Sequence, residues 1–389
     1  MLVIRDTRES GEMLEAAVAE GIAEAGGEAL LGGVLPTPAA PLLIGRYGFD
    51  GGVVISASHN PYQDNGVKFF GGDGFKLSDD HEAEIEAALD DVPSRPAGSV
   101  QPLHGALEDY LRALHERFAG LDLSGRRIAL DCANGAAYRA GPEIFRRLGA
   151  EVTVLADAPD GRNINAACGS THLDGLVALM QRGEHDAGFA FDGDADRMLA
   201  VDRAGVVVDG DEIIALAATA RRETGVAVTV MTNYGFHTAM RAAGVEVATT
   251  PVGDRHVLQA LRERGWRLGG EQSGHIIDMG FVPSGDGIAA ALLALEALGD
   301  TDLADRHAME KLPQTLVNVR VPDREAFAQA DTVQALIRDE HAALEGRGRV
   351  LVRPSGTEPL VRVMVEAPTA QEAEAVCGRI VDAVDAALN

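Results

Sequence analysis

Short apolar runs that end in turn residues alternate along this chain with stretches of helical periodicity. GGVVISASHN (51–60), RRIALDCANG (126–135) and VAVTVMTNYG (226–235) are of this kind. A buried strand followed by a helix, repeated, predicts an α/β fold with mostly parallel or mixed sheets, because parallel strands need helical crossovers and are buried on both faces. The pattern also recurs within the chain. DCANGAAYRAGPEIFRRLGAEVTVL (131–155) reads strand end, Asn-Gly turn, helix, glycine, strand; MTNYGFHTAMRAAGVEVATT (231–250) reads the same way, and residues 9–33 carry the helix–glycine–strand portion. Three related α/β units in series are expected.

The alternation changes near KLPQTLVNVRVPDRE (311–325), where QTLVNVRV has strand period. The chain ends on AQEAEAVCGRIVDAVDAAL, a helix that places Ala373, Val376, Ile380, Val381 and Val384 on one face. This last unit lacks the Asn-Gly pattern and reads as a smaller α+β domain. The Pro- and Gly-rich segment VPSRPAGSVQP (92–102) reads as a linker, and a further boundary falls near VDRAG (201–205). The expected domains are 1–100, 101–203, 204–308 and 309–389.

A chain of 389 residues agrees with that division, since domains run to about 100–200 residues. The formal charge of −26 disfavours nucleic acid as a partner, because phosphates would be repelled over the whole surface. Three widely spaced cysteines give no disulfide framework and point to a reducing cytoplasm. Charge at Arg5 comes too early for a signal peptide, and GIAAALLALEALG (287–299) is too short to span a bilayer, so no membrane role is expected. Lys68, Lys76 and Lys311 are the only lysines, which draws attention to the first two.

Four segments carry chemistry. SASHNP (56–61) follows a strand, and an exposed Ser58 beside His59 suits a nucleophile, although a polar turn has the same look. Lys68, in the apolar DNGVKFF, suits a positive group or a proton shuttle. DGDADR (192–197) places Asp192, Asp194 and Asp196 at alternate positions, where their oxygens can converge on one hard cation. It is not an EF-hand loop, because Arg197 stands where that loop needs glycine and Arg203 where it needs glutamate. GGEQSGH (269–275) offers Glu271, Ser273 and His275 on one small-residue loop, a set suited to sugar hydroxyls and acid–base work. RPSGTEP (353–359) offers Arg353, Ser355, Gly356 and Thr357 as a phosphate cradle, and Arg362 on the following strand adds a second guanidinium.

Together, in this order, the four segments resemble those of the α-D-phosphohexomutases, and the resemblance runs through SASHNPYQDNGVKFF, PDGRNINAACGSTH, TPVGDRHV, GGEQSGHII and RPSGTEPLVRVMVE. The forms GEQSGH and RPSGTEP are those of the branch acting on glucosamine phosphates. The resemblance implies four domains around a central cleft and a cytoplasmic isomerase. Its phosphoserine, at Ser58, would convert glucosamine 6-phosphate to glucosamine 1-phosphate through glucosamine 1,6-bisphosphate. It also implies a Mg²⁺ ion on Asp192, Asp194, Asp196 and the Ser58 phosphate, with His59 and Lys68 flanking the phosphoserine. Glu271 and Ser273 would hold sugar hydroxyls, His275 would move a proton, and Arg353, Ser355, Gly356 and Thr357 would hold the non-reacting phosphate. A homodimer is compatible with it. The alternatives are a relative acting on mannose or glucose phosphates, and a sugar-phosphate binding homologue without turnover.

The resemblance departs at the start. The family usually opens with a segment bearing Gly-Thr-Asp-Gly-x-Arg-Gly, a strand and a helix before RDTR, whereas this sequence opens almost at RDTR (5–8). The first domain is therefore expected to lack that strand, that helix and an arginine beside the phosphoserine. Leu2–Ile4 would then form a strand at an uncovered sheet edge, lowering activity and favouring association.

Overall fold

The computed structural model describes residues 1–88, 97–355 and 358–389. By contacts the chain forms two units, residues 1–231 with 245–307, and residues 232–244 with 308–389.

The first unit holds three sheets. Strands β1 (Leu2–Arg5), β2 (Glu28–Val34), β3 (Gly51–Ile55), β4 (Val67–Gly71) and β5 (Ser99–Pro102) make the first, in the order β4-β3-β1-β2-β5. β1 is parallel to both β2 and β3, and Leu2, Val3 and Ile4 are fully buried. This corrects the expected uncovered edge: β3 fills the second side of β1, and the sheet's edges are β4 and β5. The segment read as a linker also contributes structure. Ser99–Pro102 adds to the sheet parallel to β2, while residues 92–96 lie outside the described residues.

Strands β6 (Arg127–Asp131), β7 (Glu151–Leu155), β8 (Ala187–Phe191), β9 (Met198–Asp202) and β10 (Val207–Val208) form the second sheet, in the order β10-β9-β8-β6-β7. Strands β11 (Gly225–Thr229), β12 (Glu246–Thr250), β13 (Leu268–Gly270) and β14 (Ile276–Asp278) form the third, in the order β12-β11-β13-β14.

One pattern generates all three sheets. The first strand pairs in parallel with the second and third, and the third turns back into an antiparallel fourth: β3–β4, β8–β9 and β13–β14. Helices α1 (Gly11–Glu24) and α2 (Ala39–Tyr47) cross over in the first repeat; α3 (Asp79–Ala87) and α4 (Ala106–Arg117) follow it. The crossovers of the second repeat are α5 (Ala137–Arg147) and α6 (Asp174–Met180), followed by α7 (Gly210–Arg221). Those of the third are α8 (Tyr234–Ala243) and α9 (Asp254–Arg264), followed by α10 (Gly287–Leu298). After each of the six crossover helices a glycine with positive φ turns the chain into the next strand: Gly26, Gly48, Gly149, Gly183, Gly244 and Gly265. The apolar stretch read as too short for a bilayer is α10, which packs against α7, β9 and β14 with Ile288 and Leu292 fully buried. Among the described residues, no helix is long and apolar enough to cross a membrane.

The second unit is a three-stranded antiparallel sheet of β15 (Gln314–Arg320), β16 (Arg349–Pro354) and β17 (Leu360–Glu366), ordered β15-β17-β16, with α11 (Asp331–Ala343) and α12 (Ala370–Leu388) against it. The predicted α12 face holds: Ala373, Val376, Ile380 and Val384 are buried against Val361, Val363 and Val365, with Val381 partly buried beside them. Helix α8 belongs to this unit. The buried Glu366 accepts hydrogen bonds from Tyr234 N (2.8 Å) and Asn233 Nδ2 (3.5 Å) and pairs with Arg349 at 2.8 Å.

Candidate active site

Three of the four chemistry-bearing segments occupy one topological position. SASHNP joins β3 to β4, DGDADR joins β8 to β9, and EQSG joins β13 to β14. Each therefore leaves its repeat at the carboxyl end of the parallel strands, the usual place for ligand sites in open α/β sheets.

Ser58 sits in this turn with φ of +49°, a left-handed backbone uncommon for residues other than glycine. Its Oγ donates to Asp192 Oδ2 at 2.5 Å and lies 3.3 Å from His59 Nδ1. Its N–H donates to Ser56 Oγ (2.9 Å), and Ser56 Oγ donates to the buried Asp6 Oδ2 (2.6 Å). Arg197 Nη1 lies 3.3 Å from His59 Nδ1. A guanidinium can only donate, so Nδ1 accepts and His59 is neutral. Desolvation, then Arg197, depress the His59 pKa below its usual value.

The aspartate loop is buried, with Asp192, Asp194 and Asp196 exposed by 5% or less. One oxygen from each lies within 4.8 Å of the others. Asp194 Oδ2 accepts from Thr37 Oγ1 (2.6 Å) and Lys68 Nζ (2.6 Å), and Lys68 Nζ is 3.7 Å from Asp196 Oδ2. Burial pushes the Lys68 pKa down, but Asp194 and Asp196 outweigh it and hold the amine well above its ordinary value. Lys68 is thus a fixed cation at neutral pH. Burial, with Asp196 and Asp194 adding to it, pushes Asp192 well above the usual carboxylate range. Asp194 Oδ1 is buried without a hydrogen-bond partner, and Asp196 Oδ1 has His275 Nδ1 at 3.5 Å. Three crowded carboxylates with such an oxygen left over suit a hard divalent cation that prefers oxygen ligands.

In the third loop, the buried His275 accepts from Gly285 N at Nε2 (3.1 Å), which puts its proton on Nδ1, facing Asp196. Lys76 Nζ bonds Asp254 Oδ2, which lies 3.8 Å from His275 Nε2. Glu271 Oε1 accepts from Gly253 N (3.1 Å), and Ser273 is exposed. The loop rests on the second repeat through Gly274, whose carbonyl accepts from Met198 N (3.0 Å). Gly274 has φ of +90°, and an added Cβ would lie 2.0 Å from Met198 O, so only glycine fits.

The remaining predicted residues lie in the second unit. Arg353 on β16 stands directly opposite Arg362 on β17, so both side chains rise from one face of the sheet. Like charges paired this way are unfavourable unless an anion joins them. Glu358 Oε2 meets Arg362 Nη2 at 3.4 Å, while Arg362 Nε is buried without a partner. Ser355 Oγ accepts from Glu358 N (3.3 Å), and Arg324 Nη1 donates to Ser355 O (2.8 Å). Gly356 and Thr357 lie outside the described residues.

The sequence reading missed several participants. Arg8 is 1% exposed and its guanidinium is spent on backbone carbonyls of the Ser58 turn. Asn165, within PDGRNINAACGSTH, does the same from the second repeat. Thr37 and Arg197 complete the surroundings of the aspartates. Arg197, the last residue of DGDADR, was the one with a signal, being a cation fixed beside three carboxylates.

Sequence profiles of the phosphoglucomutase/phosphomannomutase domains match in order: α/β/α domain I over residues 1–95, domain II over 101–205, domain III over 209–316 and the C-terminal domain over 316–383. The phosphoglucosamine mutase of Deinococcus deserti is 49% identical over 99% of this chain and 89% of its own length. Among solved structures, a phosphoglucomutase/phosphomannomutase family protein of Burkholderia thailandensis superposes with a TM-score of 0.84 at 24% identity, over 100% of this chain and 90% of that one. The N-acetylphosphoglucosamine mutase of Aspergillus fumigatus, in complex with GlcNAc-6P and magnesium, gives 0.69 at 21%, over 90% and 92%. With all four domains matched in order and a half-identical relative along nearly its whole length, this chain belongs to the phosphoglucomutase/phosphomannomutase family.

Proposed function

We propose that this chain interconverts glucosamine 6-phosphate and glucosamine 1-phosphate, with Ser58 as the phosphoryl carrier. The substrate class follows the near-full-length relatives, which are phosphoglucosamine mutases. The observation that carries the mechanism is Ser58 Oγ in a left-handed turn, 2.5 Å from one of three buried, converging aspartates.

In the forward direction the sugar O1 attacks the phosphorus on Ser58, the P–Oγ bond breaks, and the proton lost from O1 is made up at Ser58 Oγ. The product is glucosamine 1,6-bisphosphate with a free Ser58 hydroxyl. The bisphosphate exchanges its ends, Ser58 Oγ attacks the phosphorus on O6, the P–O6 bond breaks with the serine proton balanced by protonation of O6, and glucosamine 1-phosphate leaves. Most of the catalysis in such a transfer is positioning and charge neutralisation. A Mg²⁺ ion held by Asp192, Asp194 and Asp196 would neutralise charge on the transferring group. Lys68 supplies a fixed positive charge there and His275 a tautomer with a defined proton. Glu271 and Ser273 face the sugar hydroxyls. Arg353, Ser355 and Arg362, with Gly356 and Thr357, take the phosphate that is not reacting, so one anion site serves both orientations of the sugar.

The test is intact-mass analysis with a coupled assay. The parent protein should carry phosphate on Ser58, turn over glucosamine 6-phosphate faster than mannose or glucose 6-phosphate, and lose both label and turnover in Ser58→Ala. Full activity of the alanine variant would overturn the mechanism, and preference for another hexose phosphate would overturn the substrate.

A further inference from the structure

The Ser58 turn is held from behind by two side chains that touch neither the aspartates nor the serine hydroxyl. Arg8 Nη2 donates to Ser58 O and Asn60 O, both at 2.9 Å, and Arg8 Nη1 donates to Pro61 O and to Asp64 O (2.9 Å). Its charge is matched locally by the buried Asp6, 2.9 Å from Nε, so it acts as a fork of donors rather than as a free cation. Asn165, from the second repeat, spends both amide hydrogens on two of the same oxygens, Ser58 O (2.9 Å) and Asn60 O (3.1 Å).

Both lone pairs of these two carbonyls are therefore taken. The amide orientation of Asn165 is fixed, because the flipped form would set Oδ1 against two carbonyl oxygens. As placed, Oδ1 is buried without a partner, a cost to stability that the fold accepts at this position. Gly193 of the aspartate loop completes the seat: an added Cβ would lie 2.5 Å from Ser58 O and 2.8 Å from Asn165 Nδ2.

We propose that Arg8 and Asn165 are positioning residues that hold the Ser58–Asp64 turn so that Ser58 Oγ stays aimed at the aspartates; Asn165 makes this geometry depend on the docking of the second repeat. Carbonyls drawn backward onto donors keep Ser58 in its left-handed conformation, which presents Oγ on the opposite side. This rests on Ser58 being the phosphoryl carrier.

Asn165 itself has φ of +58°, so the test uses residues that tolerate it. Asn165→Asp keeps the shape and replaces the donors by acceptors; Asn165→Gly removes the amide. In both, kcat for glucosamine 6-phosphate should fall by roughly tenfold or more, the scale of small misplacements in transfer reactions, while KM stays within about twofold. Single-turnover transfer from phosphorylated Ser58 should slow by the same factor, and the melting temperature of Asn165→Gly should stay close to the parent's. Ser58→Ala run alongside separates the two ideas: if it is active, the carrier reading fails and this one with it. If Ser58→Ala is dead and both Asn165 variants keep kcat within about twofold, the positioning role alone is wrong. A fall in kcat matched by an equal loss of folded protein would also overturn it.

Discussion

Asp194 offers its two oxygens to different surroundings. Oδ2 is fixed by Thr37 and Lys68, and Oδ1 is buried without a hydrogen-bond partner. Asp194→Asn removes one negative charge from a cluster whose affinity for a cation depends on charge, so the Mg²⁺ concentration giving half-maximal turnover should rise by roughly tenfold or more. A magnesium titration of the variant checks this, and an unchanged midpoint would place the metal elsewhere. The opposed pair Arg353 and Arg362 makes a second claim at this scale. Removing a charge-assisted bond to phosphate costs about 1.5–3 kcal/mol, so Arg353→Ala should bind glucosamine 6-phosphate about 10- to 150-fold more weakly while Ser58 keeps its phosphoryl group. Calorimetric titration reads the affinity, and equal binding would reject the cradle.

Elements carry the loops into place, and α10 shows how. Its N-cap, Asp286, accepts from Ala289 N at 2.9 Å and from Tyr110 OH at both oxygens. Burial raises the Asp286 pKa to about 7, against hydrogen bonds that lower it. A carboxyl whose folded pKa lies above its unfolded value of about 3.9 favours folding at low pH, and that contribution is lost as pH rises from about 4 to about 7. Asp286→Asn keeps a good cap without the titration. Relative to the parent, this variant should therefore gain thermal stability between pH 5 and pH 8; a constant difference over that range would contradict the assignment. Gly274, which joins the third loop to Met198, gives a sharper break. Gly274→Ala has no room at 2.0 Å from a carbonyl oxygen, so the loop carrying Glu271 and His275 must move. Turnover should collapse, and a variant with parental kcat would show the loop to be more forgiving than its packing implies.

For the whole molecule, 60 acidic against 34 basic side chains mean self-repulsion in the compact state. Added salt should screen it, raising the melting temperature by roughly 1–2 °C for about 1 kcal/mol gained. A melting temperature that falls with sodium chloride would show that ion pairs outweigh the repulsion. The four-part α/β organisation was legible because apolar runs and helical periods alternate with little ambiguity, and the converging aspartates because alternate carboxylates after a strand are a local pattern. The grip on the Ser58 turn was not. Arg8 and Asn165 act on backbone carbonyls 50 and 107 positions away, and a carbonyl has no residue type to read. The place of β1 was misread for a related reason: strand order is set by crossovers, and β3 reaches the side that a linear reading left bare. Of the segment read as a linker, Ser99–Pro102 forms the edge strand β5, where proline is tolerated, while the first domain profile ends at residue 95 and the second begins at residue 101.

The six glycine turns after the crossover helices lie at the amino ends of the strands, away from the three chemical loops of the same sheets. That leaves each repeat with a working end and a spare end. Gly183 and Gly265 are exposed, and an added side chain at either would meet nothing within 4 Å. Both have positive φ, which strains any residue put in place of the glycine, so a short peptide inserted beside the retained glycine is the change these turns accept without disturbing turnover. The same insert placed in any of the three opposite loops would silence the enzyme. The second and third copies of the design therefore each offer a spare-end handle opposite a loop that cannot be touched.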